Sequence, residues 1–535
     1  MPEIDPAAIS PAPRAKGHRL GWPATIAVLA AIGIGVVQLQ PELERNYKSW
    51  MISAVVLLAV LLTLVWFFCL SRFPGRLRVI SLVALVLIGL GLSQSLRLAG
   101  TVDGTGLPKF AWKSASPPTA AFAAASGVAD LAAPERVEGQ ADVPQFFGPN
   151  RDGVVTGAKL ARDWNAEPPR ELWRQPIGAG WSAFAVVGGR AYTQEQRGEM
   201  ELVTSYELGT GRPLWTHSNQ ARFFQWQGGE GPRATPTVDR GQVFAIGGTG
   251  ILDCLDAATG QLVWSRSVLT ENNLENLTWG VSASPLVFED TVVVTGGMTS
   301  GPTVLAYRRS TGAPLWKSGS DKASYASPIL ATLAGKSVVL SVNAASLTAH
   351  DPATGEMLLD FPWSADKWPR ASQPVVLAGD RVFLSAGYGI GCLLLEVKAS
   401  PDGKLAATQL WKSLRMKTQF NSATARDGFL YGLDDGLLAC VEISSGERKW
   451  KDGRYGSGQT LLVDDLILIQ SERGAVVLAA ASPAGFQELG RISALSSKTW
   501  NHPTLAGRFL LVRNDKEVAC YELPQQGAAS AVTQR

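Results

Sequence analysis

Cysteine, histidine and net charge are all scarce in this sequence. It has five cysteines and four histidines in 535 residues, and no two cysteines are close enough for a CxxC zinc or redox motif. The histidines show no zinc-ligand spacing either. The formal net charge of +3 is too small for the concentrated basic surface of a nucleic-acid-binding protein. We therefore expect no metal site and no nucleic-acid partner.

Charged residues are nearly absent from three long runs near the N-terminus, residues 20–39, 50–70 and 79–98. Each run has about the 20 apolar residues that cross a bilayer as a helix. A cleavable signal peptide or buried soluble helices are the alternatives, but three such runs within 80 residues favour transmembrane helices. Basic residues flank the first run and lie between the second and third: Arg14, Lys16, Arg19, Arg72, Arg76 and Arg78.

Those flanks predict a cytoplasmic N-terminal tail, residues 1–19, and place the chain after the third helix outside the cell membrane. Residues 99–143 are rich in Ala, Ser, Pro and Gly, which is typical of a linker. A partly ordered strap along the following domain is the alternative. We expect that domain over residues 144–523 and a short C-terminal tail over 524–535.

A short phrase recurs after the linker: a strand, an acidic residue, a Thr-Gly or Ser-Gly turn and then Trp. Its glycines are Gly211, Gly260, Gly312, Gly355 and Gly446, and degenerate copies lie near Gly403 and Gly485. Units of 40 to 50 residues cannot bury both faces of a small sheet alone, whereas radial stacking can. The pattern predicts an all-β propeller of eight four-stranded blades, with seven as the alternative.

The end of each outer strand gives the count of eight, at residues 173, 215, 264, 316, 359, 411, 450 and 489. Position 359 is Leu where Trp is expected. The strand at 171–175 can complete the last blade and close the ring. Cys254 and Cys440 occupy a repeat position that takes small residues, and Cys520 lies in a similar strand, so these thiols are predicted to pack in the core. His350, on a repeat position, is predicted to lie at the surface.

The phrase is similar to the PQQ-repeat of the quinoprotein-like and BamB-like propeller family, best in residues 255–264. Residues 144–153, PQFFGPNRDG, resemble the opening of bacterial members. The resemblance implies either a protein-binding propeller without catalysis or a membrane-bound quinoprotein dehydrogenase that uses pyrroloquinoline quinone (PQQ) and Ca²⁺. Three features argue against the dehydrogenase. The chain has no two adjacent cysteines, and no Glu and Asn for Ca²⁺ with an Asp as base can be recognised by spacing. Its blades also lack the long insertions that cover such a site.

The loops that enter the innermost strands carry aromatic and cationic residues suited to a flat anionic ligand or an extended peptide. Simple packing around the channel is the structural alternative. The candidates at this channel mouth are Trp181, Arg233, Trp279, Tyr325, Arg370, Asn421, Trp500 and His502. No catalytic residue is assigned. Residues 335–337 resemble the end of a P-loop, but position 330, where the motif needs glycine, is Leu. The glycines of residues 387–391 are not a dinucleotide-binding motif, because no helix is expected to begin there.

These patterns together predict a bacterial inner-membrane protein with several membrane passes and a propeller in the periplasm. We expect it to contact lipid through its N-terminal helices and to bind an envelope protein or peptide as a non-enzymatic scaffold, with a role in envelope assembly. A PQQ-dependent dehydrogenase that oxidises an alcohol or sugar is the alternative, and a spacer without ligand is a third reading. No cofactor is expected under the leading hypothesis, and PQQ with Ca²⁺ under the alternative.

Overall fold

The computed structural model describes residues 21–40, 45–101, 108–114, 138–363 and 369–527. The chain divides into two compact units, Met1–Ser116 and Pro117–Arg535. The predicted cytoplasmic tail, residues 1–19, most of the predicted linker, residues 99–143, and residues 528–535 of the predicted C-terminal tail lie outside the described residues.

The first unit contains three apolar helices and one β-hairpin. The helices are α1 (Gly21–Gln38), α2 (Arg45–Val65), which continues as a π-helical turn (Trp66–Leu70), and α3 (Gly75–Ser95). All three are long and apolar enough to cross a membrane. Helices α1 and α2 pack together, with Val55 against Gly33. After α3 the strands β1 (Leu96–Thr101) and β2 (Pro108–Trp112) pair antiparallel, a hairpin that the linker composition did not predict.

The second unit is an eight-bladed β-propeller with four-stranded antiparallel blades, as the repeat predicts. Blades 1 to 4, from the innermost strand outward, comprise Ala185–Val187, Arg190–Arg197, Met200–Glu207 and Pro213–Asn219; Thr237–Asp239, Gln242–Ile246, Ile251–Asp256 and Leu262–Ser267; Leu286–Phe288, Thr291–Thr295, Val304–Arg308 and Pro314–Ser318; Ile329–Leu333, Lys336–Val342, Ser346–His350 and Met357–Pro362.

Blades 5 to 8 follow the same order, and they comprise Val375–Leu377, Arg381–Ala386, Gly391–Ala399 and Leu405–Ser413; Thr424–Arg426, Phe429–Asp434, Leu437–Glu442 and Arg448–Asp452; Gln459–Val463, Leu466–Gln470, Ala475–Ala480 and Glu488–Ser493; Thr504–Ala506, Phe509–Arg513, Glu517–Glu522 and Arg170–Pro176. The outer strand of blade 8 therefore comes from the N-terminal side, so the predicted closure of the ring is confirmed. A short helix, Val268–Glu271, follows blade 2.

The repeated Trp and Gly meet between neighbouring blades. The Trp215 ring of blade 1 covers Gly260 of blade 2, where a methyl group would lie 2.5 Å from the ring. Gly260 also has φ +73°, which favours glycine. The indole N–H of Trp215 donates to the carbonyl of Ala257 at 3.0 Å. The same contact recurs at Trp173, Trp264, Trp316 and Trp411, so each Trp fixes its blade to the next.

The repeat position that takes small residues lies on the third strand, directly opposite the Trp of the fourth strand. Cys254 pairs with Trp264, Cys440 with Trp450 and Cys520 with Trp173 across the third and fourth strands. These three thiols are fully buried, which confirms the core prediction. In blade 7 the equivalent pair is Leu478 with Gly490, and the residue that covers Gly490 is Trp164 from before the ring.

The prediction for His350 was wrong. Its side chain is fully buried at the end of the third strand of blade 4. One ring nitrogen bonds the hydroxyl of Ser318 at 3.0 Å and the other bonds that of Thr348 at 2.9 Å. Burial lowers the pKa of His350 to about 4. The equivalent residues of other blades are buried, and the polar identity of His350 concealed that position; they are Tyr206, Leu255, Tyr307 and Val441.

Candidate functional site

The predicted channel-mouth residues all lie in connections that lead from one blade into the innermost strand of the next. We call this end of the channel the upper end. The lower end carries the tight turns between the innermost and second strands. The structure does not gather the predicted residues into one cluster. It divides them into smaller groups along the rim.

One group joins blades 1, 6 and 8. The rings of Trp181 and Trp500 lie 5.0 Å apart, and Phe420 lies 5.4 Å from Trp500. The ammonium group of Lys498 lies 4.0 Å from the Trp500 ring and 5.0 Å from the Trp181 ring. A cation held over two indoles is a stable arrangement of the rim itself. Neither Lys498 nor Phe420 was among the predicted site residues.

A small hairpin enters the rim between blades 1 and 2. We call residues 223–231 the upper hairpin; its two strands are Phe224–Gln225 and Gly229–Glu230. The indole N–H of Trp181 donates to the carbonyl of Gly228 at 2.5 Å. Gly228 also approaches Trp279 of the next blade connection, since an added methyl group would lie 2.9 Å from its ring. The upper hairpin therefore contacts the connections into blades 1 and 3, which lie on either side of its own.

Arg233 holds the base of the upper hairpin rather than facing an open cavity. Its guanidinium donates to the carbonyls of Gly231 at 2.6 Å and Gly229 at 3.2 Å. It also lies 4.7 Å from the ring of Phe223. Burial lowers the pKa of Arg233 to about 10.

The next two predicted residues pair with each other. The rings of Trp279 and Tyr325 meet edge to face at 5.6 Å, and burial raises the pKa of Tyr325 to about 12. The backbone N–H of Tyr325 donates to the carbonyl of Arg370 at 2.9 Å. Arg370 itself is fully buried, with its guanidinium 5.5 Å from the Trp363 ring. The side chain of Arg370 is therefore part of the packing between blades.

Asn421 and His502 lie deeper in the channel. Both are at least nine-tenths buried. The backbone carbonyl of Asn421 accepts from the Ser372 hydroxyl at 2.7 Å. One nitrogen of His502 lies 2.9 Å from the carbonyl of Pro503, and burial lowers the pKa of His502 to about 4. A small cavity lies beside His502, between the innermost strands of blades 1, 7 and 8 and the segment before the ring.

That segment, residues 143–155, crosses the lower end and is called the lower strap here. Val143 bridges to Val186 of blade 1, and the carbonyl of Pro144 accepts from Val238 of blade 2. Val154 and Val155 add a parallel strand to the innermost strand of blade 7. Because Arg151 of the strap also bonds the carbonyls of Ser284 and Pro285 at the entry to blade 3, which is opposite blade 7 in a ring of eight, the strap crosses the channel.

The middle of the lower strap is anchored by aromatic packing and one arginine. Phe146 and Phe147 lie 5.5 and 5.1 Å from the His502 ring. Arg151, only 4% exposed, donates to the carbonyls of Ser284 at 2.8 Å and Pro285 at 2.7 Å. Burial lowers the pKa of Arg151 to about 9. The PQFFGPNRDG sequence, which from the sequence alone indicates only a family resemblance, therefore forms the middle of a strap that plugs the lower end of the channel.

Two carboxylates near the upper end, those of Glu201 and Glu472, accept hydrogen bonds from N–H groups of the protein. Glu201 accepts from the N–H of Gly248 at 2.8 Å, and burial raises its pKa. Glu472 accepts from the Trp500 indole at 2.9 Å and from the N–H of Ser457 at 3.1 Å. Among the described residues, no three His, Cys, Asp or Glu side chains converge as metal ligands.

These contacts test whether PQQ with Ca²⁺ fits this rim. Such a ligand needs a flat slot between apolar faces, free cationic donors and a convergent set of oxygen ligands. Here the upper hairpin occupies Trp181 through a hydrogen bond to Gly228, Arg233 donates to carbonyls, and Arg370 is buried under Trp363. The residues of the upper end do not fit the group.

Two exposed aromatic side chains of the upper hairpin were missed by the sequence reasoning. Phe224 is 55% exposed and Trp226 is 41% exposed. The signal was present, because residues 222–229 read RFFQWQGG, an aromatic run in an unusually long connection between blades. It was overlooked because only residues adjoining the innermost strands were considered.

The comparisons with known proteins agree with this architecture. Residues 199–452 match the PQQ-repeat family described as outer membrane protein assembly factor BamB. No curated protein sequence matches the chain. Among solved structures, the quinohemoprotein alcohol dehydrogenase of Comamonas testosteroni aligns with a TM-score of 0.55 at 13% identity, covering 71% of this chain and 80% of that one.

Two further solved structures are similar. Quinohemoprotein alcohol dehydrogenase ADHIIG of Pseudomonas putida HK5 aligns with a TM-score of 0.51 at 13% identity, covering 76% of this chain and 85% of that one. BamB of Moraxella catarrhalis aligns with a TM-score of 0.48 at 15% identity, covering 66% and 98%. At these identities the likeness extends to the fold alone.

Proposed function

Because its propeller belongs to the PQQ-repeat β-propeller family, we propose that this chain is a membrane-tethered, non-enzymatic scaffold that binds an envelope protein at the upper end. The observation that carries the proposal is the upper hairpin. The Trp181 indole donates to its Gly228 carbonyl and holds it on the rim, while Phe224 and Trp226 stay exposed. Exposed aromatic side chains on a fixed support are the usual anchors of protein interfaces.

The matched family supports the choice of partner class, since its description names an outer membrane protein assembly factor. The three apolar helices support a tether in the bacterial inner membrane. We further propose that residues 1–19 are cytoplasmic and that the propeller, residues 144–523, is periplasmic. Arg72, in the short loop between α2 and α3, and Arg76, in the first turn of α3, are exposed, and the positive-inside rule favours the cytoplasm for this end of the helices.

The test is photocrosslinking in intact membranes with a photoreactive amino acid at Phe224 or Trp226. The matched control is Leu262, which is 50% exposed on the outer strand of blade 2. We expect a discrete envelope-protein adduct from positions 224 and 226 that is absent from position 262. Equal labelling at all three positions would contradict a docking site at the upper end.

A second measurement separates the scaffold from a dehydrogenase. The purified full-length protein is titrated with PQQ and Ca²⁺ and assayed for dye-linked oxidation of alcohols and sugars. The scaffold proposal expects neither tight binding nor turnover. Micromolar binding with turnover would replace it by the enzyme, and the upper hairpin would then have to open during the reaction.

A further inference from the structure

We propose that the hairpin of β1 and β2 lies flat in the membrane interface, with one apolar face toward the lipid and one polar face toward the headgroups and water. This inference rests on the proposed membrane anchoring by α1 to α3. It adds a lipid-binding surface of defined residues to a segment whose composition indicates only a linker.

The register of the hairpin sorts its side chains by face. Leu96 pairs with Trp112 and Leu98 pairs with Phe110, while Arg97 pairs with Ala111 between them. Directly opposed residues of an antiparallel pair share a face, and the face alternates at each step. Leu96, Leu98, Phe110 and Trp112 therefore form one apolar face, and Arg97 lies on the other.

This apolar face is not buried within the first unit. Leu98 is 55% exposed, and Phe110 and Trp112 are each 59% exposed. Two aromatic rings and a leucine on one side of a two-stranded hairpin are costly to leave in water. An isolated two-stranded hairpin is also marginally stable without a surface to pack on.

The position of the hairpin along the chain identifies that surface. Helix α3 has 21 residues, which at about 1.5 Å per residue spans the roughly 30 Å hydrocarbon core. Its last residue, Ser95, is followed directly by β1. The backbone N–H of Lys113 donates to the carbonyl of Ser95 at 2.8 Å, and its ammonium group donates to that of Ser93 at 3.0 Å. Trp112 is thereby held at the depth where the helix leaves the bilayer.

The chemistry of the two faces matches that depth. Tryptophan is enriched at membrane interfaces because its ring is apolar and its N–H is polar. Arg97 and Lys113 place positive charge at the same helix end, and such charge attracts anionic headgroups. The occupant that fits is therefore a lipid surface with anionic headgroups, and this fit does not require the propeller to face either side.

The test is site-directed spin labelling of the full chain reconstituted in vesicles of phosphatidylethanolamine and phosphatidylglycerol. Single cysteines replace Leu98, Phe110, Arg97 or Ala111 in a Cys69→Ala background; the other four native cysteines are buried. Accessibility to oxygen, which concentrates in lipid, is compared with accessibility to a water-soluble nickel complex. We expect Leu98→Cys and Phe110→Cys to show a ratio several-fold higher than Arg97→Cys and Ala111→Cys.

Leu87→Cys, in the middle of α3 and 62% exposed in the native chain, serves as the control for anchoring. If Leu87→Cys is in lipid while all four hairpin positions are in water, the hairpin inference fails and the anchor stands. If all four positions are immobilised and shielded from both reagents, the apolar face packs on protein and the inference also fails. If Leu87→Cys itself is in water, the anchoring falls and the hairpin placement with it.

Discussion

The two ends of the propeller channel carry two different kinds of added segment. At the lower end a segment from outside the repeat crosses the ring and buries Phe147 and Arg151 within it. At the upper end a hairpin from within the repeat crosses the rim and leaves Phe224 and Trp226 exposed. A strap whose Phe147 and Arg151 are buried in the ring stabilises the fold, whereas a hairpin that presents aromatic rings to solvent is available to a partner.

The largest expected effect tests the lower end. Gly153 has φ +73°, and a methyl group there would lie 2.4 Å from the Phe147 ring. We expect Gly153→Ala to lower the free energy of unfolding by about 3 kcal/mol, from a left-handed backbone cost of roughly 1 kcal/mol plus overpacking. Thermal and denaturant unfolding of the purified protein measure this.

Gly157 provides the matched control. It has φ +78° but no atom within 4 Å of an added methyl group. Gly157→Ala should therefore show only the backbone cost of about 1 kcal/mol. Equal losses in the two variants would mean that the strap is not tightly packed against the ring.

Acid should weaken the lower end through His502, which packs under the strap. Its folded pKa of about 4 lies below the unfolded value of about 6.5, so the folded state favours the neutral ring. The stabilisation is complete above pH 6.5 and is lost as the pH falls toward 4. Between pH 7 and 5 the loss should be about 2 kcal/mol.

His350 adds a similar loss, because its pKa is also lowered to about 4. His502→Gln and His350→Gln should each flatten the dependence of unfolding free energy on pH. Only His502 contacts Phe146 and Phe147, so acid should accelerate amide exchange in the strap of wild type and H350Q but less in H502Q. If the unfolding free energy of both variants depends on pH as steeply as that of wild type, the two histidines are not the cause of the acid sensitivity.

The comparison of the two ends also explains what could be predicted from the sequence. The blades were predictable because Trp and Gly recur at fixed spacing and each blade packs on the next, as Trp215 does on Gly260. The plug was not, because Arg151 bonds the carbonyls of residues more than 130 positions away, and no local pattern records such a pairing.

The candidate site followed the same division. The predicted residues do lie on the connections into the innermost strands, yet burial of Arg370 and His502 depends on neighbours from other blades. Lys498 was passed over because a lysine beside a tryptophan carries no signal until the second ring, Trp181, is placed next to it. The face on which a strand residue lies can be predicted from the alternation of the sequence. Contacts between loops of different blades cannot be predicted until the ring is closed.

At the upper end a smaller effect is expected from Trp181→Phe. The variant keeps the aromatic packing but loses the hydrogen bond from the indole to Gly228. A loss of about 1 kcal/mol should accelerate amide exchange in the upper hairpin about fivefold. Trp500→Phe is the control, since its indole bonds Glu472 and not the hairpin; equal acceleration in both variants would show that Trp181 does not hold the hairpin specifically.

The smallest effect on stability is expected where the effect on binding is largest. Trp226→Ala removes a ring that is 41% exposed, and exposed substitutions change stability by less than about 0.5 kcal/mol. The free energy of unfolding should therefore match wild type, while recovery of the crosslinked partner from position 224 should fall sharply. If the variant unfolds more easily but still captures the partner, the upper hairpin stabilises the propeller, as the lower strap does, and does not bind the partner.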